Sequence, residues 1–171
     1  MSLSNHIPFT GAARVAVVVS RYNLSITRRL MEGARHEYAR RGGDPASLTV
    51  VDAPGAFELP GLCLAAARTG RFAGVLALGC IIRGETSHDR HLADAVANGL
   101  VSVTIETGVP VSFGVLTVEN VEQAEARAGG PRGNKGAEAM GALLDSVDAI
   151  ERLRTGEPAI ADGLPRPDKG V

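Results

Sequence analysis

Strand-length apolar runs alternating with amphipathic helical stretches predict an α/β layered fold on a parallel sheet. Two further observations support it. Arg14-Val15-Ala16-Val17-Val18-Val19 and Val75-Leu76-Ala77-Leu78 are near-continuous apolar runs, the pattern of strands buried on both faces. The chain is also 44% apolar with two Tyr, four Phe and no Trp, so its core must be built from Val, Leu, Ile and Ala. At 171 residues it fits one domain with a sizeable core.

Each element has its own signal. After the first strand and Ser20-Arg21-Tyr22-Asn23, the residues Ile26, Leu30, Ala34 and Tyr38 recur every four positions. That spacing predicts a helix to about Arg41, stopped by Gly42-Gly43. Leu48-Thr49-Val50-Val51 is a second strand, ending in the turn Asp52-Ala53-Pro54-Gly55-Ala56-Phe57-Glu58. The following helix has Leu59, Leu62, Cys63 and Ala66 as its apolar face. The third strand ends at Leu78, and a long helix from His88 to about Glu106 is closed by Gly108 and Pro110. Val111 to Thr117 is the fourth strand, and a short helix spans about 120–128. The loop Gly129-Gly130-Pro131-Arg132-Gly133 leads to a last helix from near Asn134, with Ala137, Met140, Leu144 and Val147 on one face.

Together these make a flavodoxin-like, three-layer α/β/α domain with a central four-stranded parallel sheet over 14–154. Residues 1–13, with Pro8 and Gly11, read as an extended arm, and 155–171 as a loose Pro- and Gly-rich tail. A lone sheet of this size has exposed edges, and the arm of a neighbouring subunit is suited to close one, so homo-oligomerisation is expected. The formal net charge of −1 gives no electrostatic case for nucleic acid or an anionic membrane. No apolar run approaches membrane-spanning length, and no basic-then-apolar leader opens the chain. Cys63 and Cys80 read as packing residues of a reducing compartment, so a cytoplasmic location is expected.

Chemistry gathers around Leu78-Gly79-Cys80-Ile81-Ile82-Arg83-Gly84-Glu85-Thr86-Ser87-His88. A strand breaking into a Gly-containing loop and then a helix presents N–H groups and a dipole that favour an anion such as phosphate. His88, in the first turn, is the side chain best suited to exchange protons near neutral pH. The bland alternative is an ordinary helix start capped by Thr86 or Ser87, with a surface histidine. Tyr22-Asn23 and Ala56-Phe57-Glu58 follow other strands and converge on the same sheet edge. Tyr22 or Phe57 suits stacking on a planar heterocycle and Glu58 suits ligand hydroxyls. Taken singly, Phe57 reads more readily as a core residue and Glu58 as a first-turn acid favoured by the helix dipole. Arg127 and Lys135 flank the glycine-rich loop, a cation pair suited to phosphate or a polar ring. No nucleotide fingerprint is met, because those glycines do not follow a strand. His88 and His91 with Glu85 and Asp89 can be drawn as a metal site, but no third His or Cys joins them, and no metal is expected.

Four motifs then carry a resemblance. Pro54-Gly55-Ala56-Phe57-Glu58-Leu59-Pro60, Gly79 to His88, Phe113-Gly114-Val115-Leu116-Thr117 and Asn134-Lys135-Gly136 resemble the lumazine synthases, in order, from about Val15 to Leu153. The resemblance implies a transferase of riboflavin biosynthesis, forming 6,7-dimethyl-8-ribityllumazine from 5-amino-6-ribitylamino-2,4-pyrimidinedione and 3,4-dihydroxy-2-butanone 4-phosphate without a cofactor. It also implies a pentamer, or a multiple of one, with sites shared between neighbours. Carried over, Tyr22 stacks on the pyrimidine with Asn23 beside it. Ala56, Phe57 and Glu58 meet the ribityl chain, and the backbone of Ile81 and Ile82 meets the pyrimidine edge. Gly84, Glu85 and Thr86 hold the phosphate with Arg127 as its cation, and His88 transfers protons. Phe113, Arg127 and Lys135 are implied to come from the adjacent subunit. The chain departs from the family pattern at Tyr22, where Phe is usual, and at Asp89-Arg90-His91, where aromatic-acid-aromatic is usual. A non-catalytic flavin or lumazine carrier on the same scaffold is the rival reading. The short Arg127–Lys135 loop resembles members that build icosahedral shells, leaving pentamer, decamer and shell open.

Overall fold

The computed structural model describes residues 14–156. The arm expected over 1–13 and all but the start of the tail expected over 155–171 lie outside the described residues. The chain runs β1 (Val15–Ser20), α1 (Leu24–Arg40), β2 (Thr49–Ala53), α2 (Leu59–Arg68), β3 (Gly74–Ile82), α3 (His88–Thr107), β4 (Val111–Val118), α4 (Val121–Arg127), β5 (Ala128–Gly130), β6 (Gly133–Asn134) and α5 (Lys135–Thr155). The first four strands form one parallel sheet in the order β2-β1-β3-β4. That is the flavodoxin-like three-layer arrangement. After β2 the chain reverses direction across the sheet. Right-handed crossovers therefore put α1 and α5 on one face and α2 and α3 on the other.

Strand alternation divides the core accordingly. Val15, Val17, Val19, Leu76, Leu78 and Leu116 pack under α1 and α5, against Ile26, Leu30, Ala34, Tyr38, Met140 and Leu144. Ala16, Val18, Val75, Ala77 and Val115 pack under α2 and α3, against Leu59, Cys63, Val96, Leu100 and Val103. The four residues that predicted α1 are all buried.

The closest helix–helix approach is α1 on α5. A Cβ on Gly136 would stand 2.0 Å from the Leu30 carbonyl oxygen, so only glycine fits there. Asn134 caps α5 by accepting from the N–H of Gly136 (2.9 Å) and Ala137 (3.2 Å), and its amide donates to the Arg29 carbonyl at 2.8 Å. One side chain thus ends one helix and clamps it to another.

Several boundaries differ from the sequence expectation. β3 does not stop at Leu78. It continues through Ile82 because β4 keeps pairing with it, up to Ile82 opposite Val118. Gly79, which reads as loop punctuation, is a packing position in mid-strand, where a Cβ would stand 3.2 Å from Leu59 Cδ1. Pro45–Ser47 form a short 3-10 turn before β2, with Asp44 accepting from the Ala46 N–H at 2.9 Å. The glycine-rich loop is the small β5–β6 hairpin, made possible by positive φ at Gly129 and Gly133. On α5 the buried face is Gly136, Ala139, Met140, Leu143 and Leu144, while Ala137 and Val147 are half-buried. The helix runs on to Thr155, into the expected tail.

Candidate active site

β1 pairs with β3 only as far as Val19 opposite Leu78, whereas β3 and β4 continue four residues further. The overrun leaves a notch above the end of β1, between the β2–α2 loop and the last turns of β3. This is the topological switch point of the sheet, where ligands of open α/β folds bind. A cavity of about 650 Å³ opens there, of a size that takes a drug-sized molecule.

Its walls come from the strand ends. From the β1–α1 loop come Tyr22 and Asn23, and from the β2–α2 loop Gly55 to Glu58. β3 and the turn after it give Cys80 to Gly84 and Thr86, and α3 gives His88, Asp89 and Leu92. The two loops are tied together by the Arg21 N–H donating to the Ala53 carbonyl at 2.8 Å. Asn23 sits in the left-handed region (φ 56°), and its amide nitrogen donates to the Cys80 carbonyl at 2.9 Å. That bond satisfies a backbone acceptor left free where β1 no longer flanks β3. Asn23 is therefore a strut of the cavity as well as part of its wall.

Tyr22 and Phe57 are 70% and 68% exposed, so the core reading of Phe57 is overturned. Two large aromatic rings left in water at one cavity mouth are surfaces for a flat partner to cover. Ala56 is buried and accepts from the Leu59 N–H at 3.2 Å, closing the turn into α2. Glu58 takes the N-cap position of α2 yet makes no capping bond with its side chain. Its carboxylate thus lines the cavity without being spent on the helix.

The start of α3 is built in the same open manner. Ser87 is the N-cap residue but accepts no capping bond, and Thr86 Oγ1 accepts only a long 3.4 Å bond from the His88 N–H. Gly84 has open space where a Cβ would stand. A turn with weakly used donors, at the positive end of a twenty-residue helix, is a ready anion cradle. His88 is exposed as the first residue of α3 and lines the cavity beside it.

Glu85, Phe113, Arg127 and Lys135 do not join them in this chain, since none lines the cavity. Phe113 lies low on β4, opposite Ala77, and is 44% exposed on the sheet edge. Arg127 closes α4 and donates to the Gln123 carbonyl at 3.2 Å. Lys135 opens α5, paired with Glu138. Arg83, Asp89 and Leu92 line the cavity, and none of them was assigned a substrate contact from the sequence. The signal was present: Arg83 is the first residue past β3, but placing the strand end at Leu78 hid that.

Both cysteines are free and buried, and burial pushes the Cys63 thiol up to about 12 and the Cys80 thiol to about 11. Neither is poised as a nucleophile. Among the described residues, no three His, Cys, Asp or Glu side chains gather to hold a metal, so His88 and His91 form no such site with Glu85 and Asp89. No helix among those residues is long and apolar enough to cross a membrane.

Comparison with known proteins bears on the same span. A family model described as 6,7-dimethyl-8-ribityllumazine synthase matches residues 12–151. A protein of that name from Xanthomonas campestris pv. campestris is 49% identical over 141 residues, covering 82% of this chain and 92% of the relative. One from Campylobacter hominis is 39% identical over 153 residues, covering 90% and 98% respectively.

Proposed function

The chain belongs to the 6,7-dimethyl-8-ribityllumazine synthase family, and on that premise we propose how its residues divide the work of the reaction. The enzyme is a transferase that joins 5-amino-6-ribitylamino-2,4-pyrimidinedione to 3,4-dihydroxy-2-butanone 4-phosphate, releasing phosphate and water. The ring amine attacks the ketone and gives an imine. Phosphate is then eliminated, and the ribityl-bearing nitrogen closes the second ring with loss of water.

The observation that carries the assignment is the notch beyond β1, where stacking rings, free strand edge, anion cradle and histidine meet in one cavity. In this reading Tyr22 and Phe57 cover the pyrimidine and the start of the ribityl chain, with Asn23 and Ala56 shaping the wall. Glu58 accepts from ribityl hydroxyls. The backbone of Ile81 and Ile82, beyond the reach of β1, pairs with the polar edge of the pyrimidine. Gly84 and Thr86, with the backbone N–H of Glu85 between them rather than its carboxylate, hold the phosphate at the start of α3, and His88 carries protons between the amine, the imine and the leaving phosphate. Each step needs proton movement and positioning, and no step needs a redox partner or cofactor. Holding two substrates in contact is worth up to about 7–11 kcal/mol in favourable cases, more than a single proton carrier supplies.

Arg127, Phe113 and Lys135 complete the site from an adjacent subunit. Their absence from the lining of this chain's own cavity supports that reading, as do the exposed Thr49 and Val50 on β2 and Phe113 on β4, at the two sheet edges. The assembly is a homo-pentamer or a multiple of one, in the cytoplasm, and the short hairpin between Arg127 and Lys135 favours the icosahedral shell. The functional unit in this reading is 14–154.

The test is to mix the purified protein with both substrates and follow lumazine absorbance against the uncatalysed background. Protein-dependent product, falling sharply in Arg127→Ala, is the expected result. No rate above background, with tight riboflavin binding, would identify a carrier instead. Light scattering decides the assembly, and a particle of pentamer mass rules out the shell.

A further inference from the structure

Among the described residues that line the cavity, Arg83 is the sole guanidinium or ammonium group, and it faces two carboxylates there, Glu58 and Asp89. A phosphate dianion in this chain's own cavity would find no other cationic side chain to pair with, and the two carboxylates would oppose it. Arg83 is placed to pair with it. Its N–H donates to the Val118 carbonyl at 2.8 Å, which fixes its backbone at the end of the β3–β4 ladder. Among the described residues its side chain is held only by Glu119, at 2.6 Å from Nη1. Both partners are half exposed, and such pairs contribute little and break easily. Gly84 follows directly, with open space around it, on the path to the anion cradle. A planar guanidinium matches phosphate geometry with two parallel bonds, which an ammonium cannot.

We propose that Arg83 is a second cation of the phosphate site, parked on Glu119 in the free enzyme and transferred from that carboxylate to the phosphate-bearing substrate on binding. The proposal rests on the synthase reading and adds to it a residue and an exchange of partners. The bond to Glu119, with the charge of Asp89 behind it, holds the Arg83 proton more firmly while the side chain is parked there. Glu119 then acts as a competitor of the phosphate, which sets the direction of its own variant.

The test measures binding of inorganic phosphate to the full-length protein by calorimetry, alongside KM for each substrate. Arg83→Ala should weaken phosphate about tenfold and raise KM for the sugar phosphate by a similar factor, leaving KM for the pyrimidinedione near the native value. Arg83→Lys should restore part of that loss, and Glu119→Gln should tighten phosphate about twofold or more, because the competing charge is gone. Unchanged phosphate binding in Arg83→Ala overturns the proposal. So does weaker binding in Glu119→Gln, which would make the ion pair a strut. If Arg83→Ala fails to fold, Glu119→Gln decides alone: tighter binding supports the exchange, and equal or weaker binding overturns it. If lumazine forms and Arg127→Ala loses phosphate while Arg83→Ala keeps it, the synthase reading stands and the Arg83 assignment falls. If the native protein neither binds phosphate nor forms lumazine, the synthase reading itself has failed.

Discussion

The α1–α5 contact and the cavity mouth are built on opposite principles. Between α1 and α5 every position is filled. Gly136 lies against the Leu30 carbonyl, Asn134 bridges both helices, and Tyr38, Met140 and Leu144 are fully buried. At the mouth, two aromatic rings stand in water, Glu58 caps nothing, Ser87 accepts no capping bond and a bond of Thr86 is stretched to 3.4 Å. The first region is finished within one chain. The second leaves polar groups and rings without such partners among the described residues, which is the difference between a packed core and the binding surface proposed above.

The same substitution in the two regions breaks this contrast most sharply. Gly136→Ala would force a methyl group into backbone and should cost about 3 kcal/mol or more, seen as a large fall in thermal midpoint. Gly84→Ala, with open space at the site, should change stability by no more than about 0.5 kcal/mol. Equal effects would show that the mouth is packed after all.

Arg127→Ala should lower turnover by about 10²- to 10³-fold, the scale of losing a charge-stabilising group, with the midpoint unchanged. His88→Ala should slow turnover by about 10- to 100-fold and not abolish it, since positioning carries most of the acceleration. Complete loss in His88→Ala with both substrates still bound would invert that weighting.

The smallest effect belongs to the buried thiols. Burial raises Cys63 from 9.0 to about 12 and Cys80 to about 11, so the folded state holds protons that the unfolded chain releases. Stability is therefore unaffected by these groups below about pH 9, then falls as the pH rises from there through 11 and 12. Cys63→Ala should flatten part of that alkaline decline in a series of melts. A disulfide reagent at pH 8 should label neither thiol until the protein unfolds.

Legibility in the sequence followed the same divide. The period of α1, the apolar runs of β1 and β3 and the alternation of elements suffice for the layered fold, because those residues answer to burial alone. The end of β3 was not legible. Gly79 looks like loop punctuation although Cys80, Ile81 and Ile82 after it are apolar, and pairing with β4 across the sheet carries the strand to Ile82. Arg83 was hidden by the same error. Asn23 was legible as a residue beside the site, but its bond to the Cys80 carbonyl is a tertiary contact that no local pattern announces. Motif resemblance named Arg127, Lys135 and Phe113, none of which lines this chain's own cavity.

In the proposed site the cavity around His88 is completed by Arg127 of a neighbour, and co-assembly tests this directly. His88→Ala and Arg127→Ala chains would be expressed together, mixed assemblies purified, and lumazine formation measured against each variant alone. If sites are shared, some interfaces pair an intact His88 with an intact Arg127, and activity should rise well above the mean of the two variants. If each chain holds a whole site, mixing creates none, and activity equal to that mean would contradict the account.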